Sequence, residues 1–276
     1  YMDMREGLKQ SCDVYFYEVA RKLGIDRLSE TARKFGLGEK VLDGFIEERT
    51  GIVPNTSWKK KYIGKNWYLG ETLHAGIGQG YWQSSPMQLC LMTAQIANGG
   101  YKIKPRIILN DDESKKFSDL NQFIEDRKLF ADDVVSLYDF ISKFKYKSLF
   151  RNPENIKFVI DALYGATNEP GGTSYGSRLT KKGFIFAGKT GTSQVKRFTA
   201  RQRELEIKNE DLPYEDRDHA LFVAFAPYKD PRYAISVVIE HGGSGSKTAA
   251  PIAKKVIKKV LERHPLREAQ ANGEIA

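Results

Sequence analysis

The sequence predicts an α+β domain, with helices early, strands late and a helix returning at the end. Three observations carry this. Apolar residues recur at helical spacing between Val14 and Leu23 and again after Ser85. His219 to Ala226 and Arg232 to His241 read as strands joined by the turn Tyr228-Lys229-Asp230-Pro231. Ala249 to Arg263 then closes the chain as an amphipathic helix.

Taken in order, Asp3 is placed to cap a short helix, and the Val14–Leu23 helix stops at Gly24. Asp26 reads as the cap of a second helix running to Phe35, stopped by Gly36. Gly38 to Trp67 is polar and turn-rich, as expected of a surface excursion. Ser85-Pro86-Met87-Gln88 combines a Ser cap, Pro at the first helical position and Gln three residues after the cap; the helix it starts should end at Asn98-Gly99-Gly100. A helix near Asp132 to Phe144 and another from Pro153 to Tyr164 follow. The loop Glu169-Pro170-Gly171-Gly172-Thr173 either borders a cleft or is a plain turn. Gly183 to Ala187 is read as a strand, and Lys196 to Asp218, nearly all polar, as a mobile flap. Leu221 to Ala226 is apolar at both parities, so that strand should be covered on both faces.

Composition narrows the function classes. The 276 residues include 41% apolar and 29% charged ones, the profile of a globular chain with a core. The net charge of +9 raises nucleic-acid binding, but the basic residues are dispersed among acids and no nucleic-acid-binding motif occurs, so no such partner is expected. Cys12 and Cys90 are the only cysteines, and neither sits in a CxxC unit, so neither a disulfide framework nor a self-contained metal motif is expected. The opening, Tyr1 to Glu6, has no signal-peptide core and reads as part of a helix, so the chain is expected to be a piece of something longer. Residues 1–264 are expected to fold as one unit and 265–276 to fray. Gly76-x-Gly-x-Gly80 lacks the spacing of a dinucleotide fingerprint and reads as a tight turn near a cleft.

Chemistry concentrates in two places. A strand-borne Lys189-Thr190-Gly191 suits a peptide that ends in a carboxylate. The ammonium and hydroxyl can meet the carboxylate, and Gly191 lets a substrate backbone approach. The Thr192 N–H can then donate to a developing oxyanion. Ser11-Cys12-Asp13, at the entry of the Val14 helix, sets a hydroxyl and a carboxylate two residues apart; both can face a cleft, or simply cap the helix. S-x-x-K, S-D-N and K-T-G form the triple signature of serine β-lactamases and penicillin-binding proteins. Counterparts of its second and third elements occur here in the right order.

The run Ser11 to Tyr17 with Gly24 to Leu28, the stretch Gly76 to Trp82 with Pro86-Met87-Gln88 and Asn98-Gly99-Gly100, Lys189 to Val195, and Ala224 to Pro227 together resemble class B penicillin-binding proteins, most closely their elongation-specific branch. The resemblance covers most of residues 3 to 262. It implies the penicillin-binding/serine β-lactamase-like fold, an antiparallel sheet flanked by helices, N-terminally truncated here. It also implies a peptidoglycan D,D-transpeptidase at the periplasmic face of the bacterial inner membrane. Its ligands would be stem peptides ending in D-Ala-D-Ala and β-lactams, its partners elongation-complex membrane proteins, and it would need no cofactor. In that scheme Ser11 passes a proton to the leaving D-Ala and Asp13 holds the polar network. Lys189, Thr190, Gly191 and Ser193 hold substrate, and Thr192 supplies half of the oxyanion hole. A D,D-carboxypeptidase or β-lactamase, or a non-catalytic β-lactam-sensing fragment, are the alternatives. Some relatives place a zinc ligand near Cys12, but no metal site is expected in this chain.

The family's nucleophilic S-x-x-K precedes the second motif. Here it would fall before residue 1, since none of the ten residues ahead of Ser11 is Ser. Four S-x-x-K strings occur later, at Ser57, Ser142, Ser193 and Ser244, all on the wrong side of Ser11. The chain alone is therefore expected to resist acylation.

Overall fold

The computed structural model describes residues 2–42, 44–107, 148–150, 152, 154–196, 204–205 and 207–263. Among them, six helices precede a three-stranded antiparallel sheet, with a seventh helix leading into the sheet and an eighth closing on it. Asp3 accepts from Glu6 N–H and starts α1 (Met4–Gln10). Next come α2 (Asp13–Leu23), α3 (Ile25–Lys34), α4 (Thr56–Ile63), α5 (Leu69–Gly76) and α6 (Pro86–Ala97). The capping box at α6 forms as expected: Ser85 Oγ accepts from Gln88 N–H, and the Gln88 side chain accepts from Ser85 N–H.

The sheet runs β1 (Ala187–Ser193), β2 (His219–Ala226), β3 (Tyr233–Ile239), in that spatial order. Helix α7 (Glu154–Asn168) lies before it and α8 (Ala250–Arg263) after it. Strand β2 is covered on both faces. Ala220, Phe222 and Ala224 pack with Ala253, Ile257 and Leu261 of α8. Phe225 turns the other way, onto Leu163 of α7 and Ala97 of α6. A central strand with helices on both sides needs apolar residues at both parities, and Leu221–Ala226 supplies them.

Several expectations are corrected. Gly183 to Ala187 is not a strand: Phe184 N–H bonds Lys181 O, Gly183 takes φ +76, and the ladder begins only at Ala187. Apolar Phe186 is fully buried from irregular backbone, which is why its run imitates a strand. Gly24, not Asp26, stands at the start of α3; the Asp26 carboxylate instead accepts from the Thr56 N–H and hydroxyl at the head of α4. The Gly38–Trp67 stretch is more than a surface excursion, since it contains α4, and Glu48 and Lys59 in it are buried. The helix expected from Pro153 runs on to Asn168, its Gly165 being tolerated where the helix meets Arg5 and Lys9. The mobility expected of the Lys196–Asp218 segment is not decided by the contacts at its two ends. Buried Asp218 accepts from Val195 N–H, and Lys196 pairs with Asp216. The helix expected near Asp132 to Phe144, the Ser142 string and the tail from 264 lie outside the described residues.

Candidate active site

The cleft is assembled from the α1–α2 junction, the α5–α6 loop, the loop after α7, and β1. Ser11 does not cap α2. It ends α1 in the left-handed region, at φ 58, with its N–H turned back on the Leu8 carbonyl. A non-glycine residue there costs roughly 1 kcal/mol and marks a position held for a purpose. The effect is to aim Ser11 Oγ across the cleft, where Lys189 Nζ donates to it over 2.8 Å. The two motifs expected to share a site thus meet through Ser11 and Lys189. Cys12 stands at the head of α2 without a side-chain cap bond, and Asp13 begins the helix, exposed.

Lys189 is half-buried on β1, and burial lowers its pKa to about 8, against the opposing pull of the Asp13 charge. Thr190 Oγ1 donates to Thr173 Oγ1 at 3.1 Å, joining the strand to the Gly171-Gly172-Thr173 loop, which does border the cleft. That loop is fixed in turn, as Thr173 N–H bonds the Lys9 carbonyl and Ser174 Oγ the Ala166 carbonyl.

Backbone geometry decides what β1 offers. Gly191 is in register with Leu221, and Gly245 lies against both. A Cβ on Gly245 would come 2.6 Å from Gly191 O and 2.5 Å from Leu221 O. A Cβ on Gly191 itself would come 3.3 Å from Leu221 Cβ, a tight contact, so the strand leaves little room for a side chain there. With β2 on one side and, among the described residues, no strand on the other, β1 is an edge. Ser193 ends the strand, exposed and in register with His219.

Two residues of the site were missed from sequence. Gln79 Nε2 donates to the Thr192 carbonyl at 2.7 Å. Its signal lay in the glycine pair around it, Gly78 at φ +75 and Gly80 at φ +81, read only as a turn. Thr173 was seen only as part of a loop. Behind Gln79, buried Lys59 pairs with Glu71, whose other bonds come from Tyr68 N–H and Tyr81 Oη. Burial pushes the Glu71 pKa up, but its bonds to Lys59 and Tyr68 N–H leave it lowered on balance.

Of the S-x-x-K strings described, none is built as a nucleophile pair. Lys60 reaches Asn66, Lys196 pairs with Asp216, and Lys247 with Glu210, while Ser244 caps a turn. Among the described residues no group of three or more His, Cys, Asp or Glu side chains is placed to hold a metal. No helix among them is long and apolar enough to cross a membrane.

Comparison with known proteins gives the chain a family. Residues 1–258 fit the model of the penicillin-binding protein transpeptidase domain. Peptidoglycan D,D-transpeptidase MrdA of Salmonella typhimurium (strain LT2) is 33% identical over 261 residues, covering 95% of this chain and 38% of that protein. The protein of the same name from Acinetobacter baumannii is 32% identical over 281 residues, covering 99% of this chain and 37% of its own length. Among solved structures, PBP2 of Helicobacter pylori in complex with MreC superposes with a TM-score of 0.74 at 29% identity, covering 96% of this chain and 41% of that one. Pseudomonas aeruginosa PBP2 in complex with WCK 5153 gives 0.70 at 32%, covering 94% and 49%. The chain thus spans well under half the length of the curated relatives it matches, and within that span it belongs to the penicillin-binding protein transpeptidase domain family.

Proposed function

We propose that this chain forms the substrate-docking side of a serine-type peptidoglycan D,D-transpeptidase. The observation that carries the reading is the 2.8 Å bond from Lys189 Nζ to Ser11 Oγ, which joins the second and third motifs in one cleft. The attacking serine belongs to chain outside the 276 residues. It would attack the penultimate D-Ala carbonyl of a stem peptide, its hydroxyl proton passing to the lysine of its own S-x-x-K pair, with the new C–O bond forming as the carbonyl electrons move onto oxygen. The Thr192 N–H and the nucleophile's own N–H stabilise that oxyanion. When the intermediate collapses, the C–N bond breaks and the departing D-Ala nitrogen takes its proton by way of Ser11. The Lys189 ammonium meets the terminal carboxylate and polarises the Ser11 hydroxyl, with Asp13 favouring the charged lysine. Thr190, already hydrogen-bonded to Thr173, supplies the second contact to that carboxylate, and Gly191 and Ser193 line the approach. An amine of a second stem peptide then attacks the ester and frees the serine, leaving a cross-link.

The similarity to proteins named MrdA and PBP2, one of them solved with MreC, supports placing the whole protein in cell elongation at the periplasmic face of the inner membrane. The test uses the whole gene product with a fluorescent penicillin and with a D-Ala-D-Ala peptide plus an amine acceptor. A stable adduct, D-Ala release and an amide product support the reading. Release with water as the only acceptor assigns a carboxypeptidase instead, and no adduct rejects the acyl-enzyme. The isolated 276-residue chain is expected to form no adduct; one that did would place the nucleophile inside it.

A further inference from the structure

We propose that Gln79 is a displaceable cap on the docking edge of β1, occupying the Thr192 carbonyl with which an incoming extended peptide has to pair. The inference rests on the transpeptidase reading and concerns how substrate enters that site.

In an antiparallel strand the N–H and C=O of one residue leave on the same side, and successive residues alternate sides. Gly191 directs its pair toward β2, because its N and O lie together with Leu221 O beneath Gly245. Thr190 and Thr192 therefore direct theirs to the open edge, and the bond from Gln79 reaches Thr192 O there. A peptide that joins an edge as an added strand binds through main-chain hydrogen bonds. At Thr192 it needs the N–H for a carbonyl oxygen and the C=O for one of its own N–H groups. Among the described residues a side chain takes the second.

The cap is built to move without disturbing its loop. Gln79 N–H is bonded to the His74 carbonyl, Trp82 Nε1 to the Ala75 carbonyl, and Tyr81 Oη to Glu71, so the backbone on either side is held. The bond is solvent-exposed though Gln79 itself is partly buried, its flanking glycines are exposed and lack side chains, and a Cβ on Gly78 would meet nothing within 4 Å. Rotation about the side-chain bonds of Gln79 exposes the carbonyl; the N–H of the peptide then replaces the amide, one bond for one. An unliganded edge keeps its acceptor satisfied, and each binding event spends one exposed hydrogen bond. Removing the cap should raise apparent affinity by about three- to tenfold, the scale of one net hydrogen bond.

The experiment measures acylation of the whole gene product by a fluorescent penicillin, over a concentration series, for wild type, Gln79→Ala and Gln79→Met. Methionine keeps the length of the side chain and removes the donor, so it decides the matter if alanine disturbs folding. The expected result is a three- to tenfold rise in the second-order rate constant in the folded variants, from a lower half-saturating concentration, with the saturating rate unchanged. Unchanged or slower acylation in a folded variant overturns the cap, since Gln79 would then be inert or a brace for the strand. No adduct on the wild-type protein instead overturns the acyl-enzyme reading, and the cap with it.

Discussion

Arg5 in α1 grips both carboxylate oxygens of Glu169, the residue after α7, at 3.0 and 2.6 Å. Lys9 joins the same carboxylate, and Asp161 takes the remaining face of Arg5. The helix that ends at Ser11 is thereby fastened to the loop that carries Thr173, so one ion cluster sets the distance between two walls of the cleft. The hydrogen bonds from Arg5 are the main cause that holds the Glu169 pKa down, at about 2.

A carboxylate depressed in the folded state stabilises the fold above its unfolded pKa of about 4.3, and that contribution is lost as pH falls toward 2. Allowing for partial exposure, Glu169 should contribute about 1–2 kcal/mol at neutral pH. Urea melts of wild type and Glu169→Gln at pH 7 and pH 2.5 check this. The variant should be less stable at pH 7, and the gap should close in acid.

Lys189 shows the opposite balance. Its folded pKa of about 8 lies below that of a free lysine, so the charged form is a cost to the fold. Between pH 8 and about 10.4 the unfolded chain binds more protons, and wild-type stability should rise with pH across that window. Lys189→Met should be more stable by about 1–3 kcal/mol at neutral pH, and should lose affinity for carboxylate-bearing ligands. Wild-type carboxylate affinity should itself fall as pH rises through 8, a trend that calorimetry can follow.

Ser11→Gly should relieve the left-handed backbone and leave stability unchanged or raised by up to about 1 kcal/mol. Turnover in the whole protein should collapse, because the hydroxyl beside Lys189 is gone. Thermal melts alongside D-Ala release separate the two effects.

Lys59→Met removes one partner of a buried pair and leaves Glu71 uncompensated, at a cost of about 3 kcal/mol. Replacing both partners, with Lys59→Met and Glu71→Leu, should recover much of that. A double-mutant cycle in urea measures the coupling.

Gly245→Ala should cost about 2–4 kcal/mol, since its methyl would press on the carbonyls of Gly191 and Leu221. A Tm near that of the wild type would show that the turn after β3 can retreat from the sheet.

What the sequence revealed depended on how local the physics was. Ser85 to Ala97 was legible because its cap, its first-turn proline and its stop are all written within a few residues. Strand β2 was legible because a doubly covered strand must be apolar throughout. Helix α4 was hidden: its one buried side chain is Lys59, whose burial depends on Glu71, twelve residues on. The turn at Gly183 was read as strand because Phe186 needs burial whatever its backbone does. At the site, the paired motifs named Ser11, Asp13 and Lys189 to Ser193, whereas the glycines flanking Gln79 mark a turn without announcing its bond across 113 positions.

The open side of β1 has a further consequence, for the solution behaviour of the protein. An open strand edge welcomes any extended chain, including another copy of this one, and unguarded sheet edges are where such chains polymerise. A protein that keeps one strand edge open carries that hazard for its whole lifetime. Here a single glutamine amide, on the Thr192 carbonyl, stands between an open edge and a seed for aggregation.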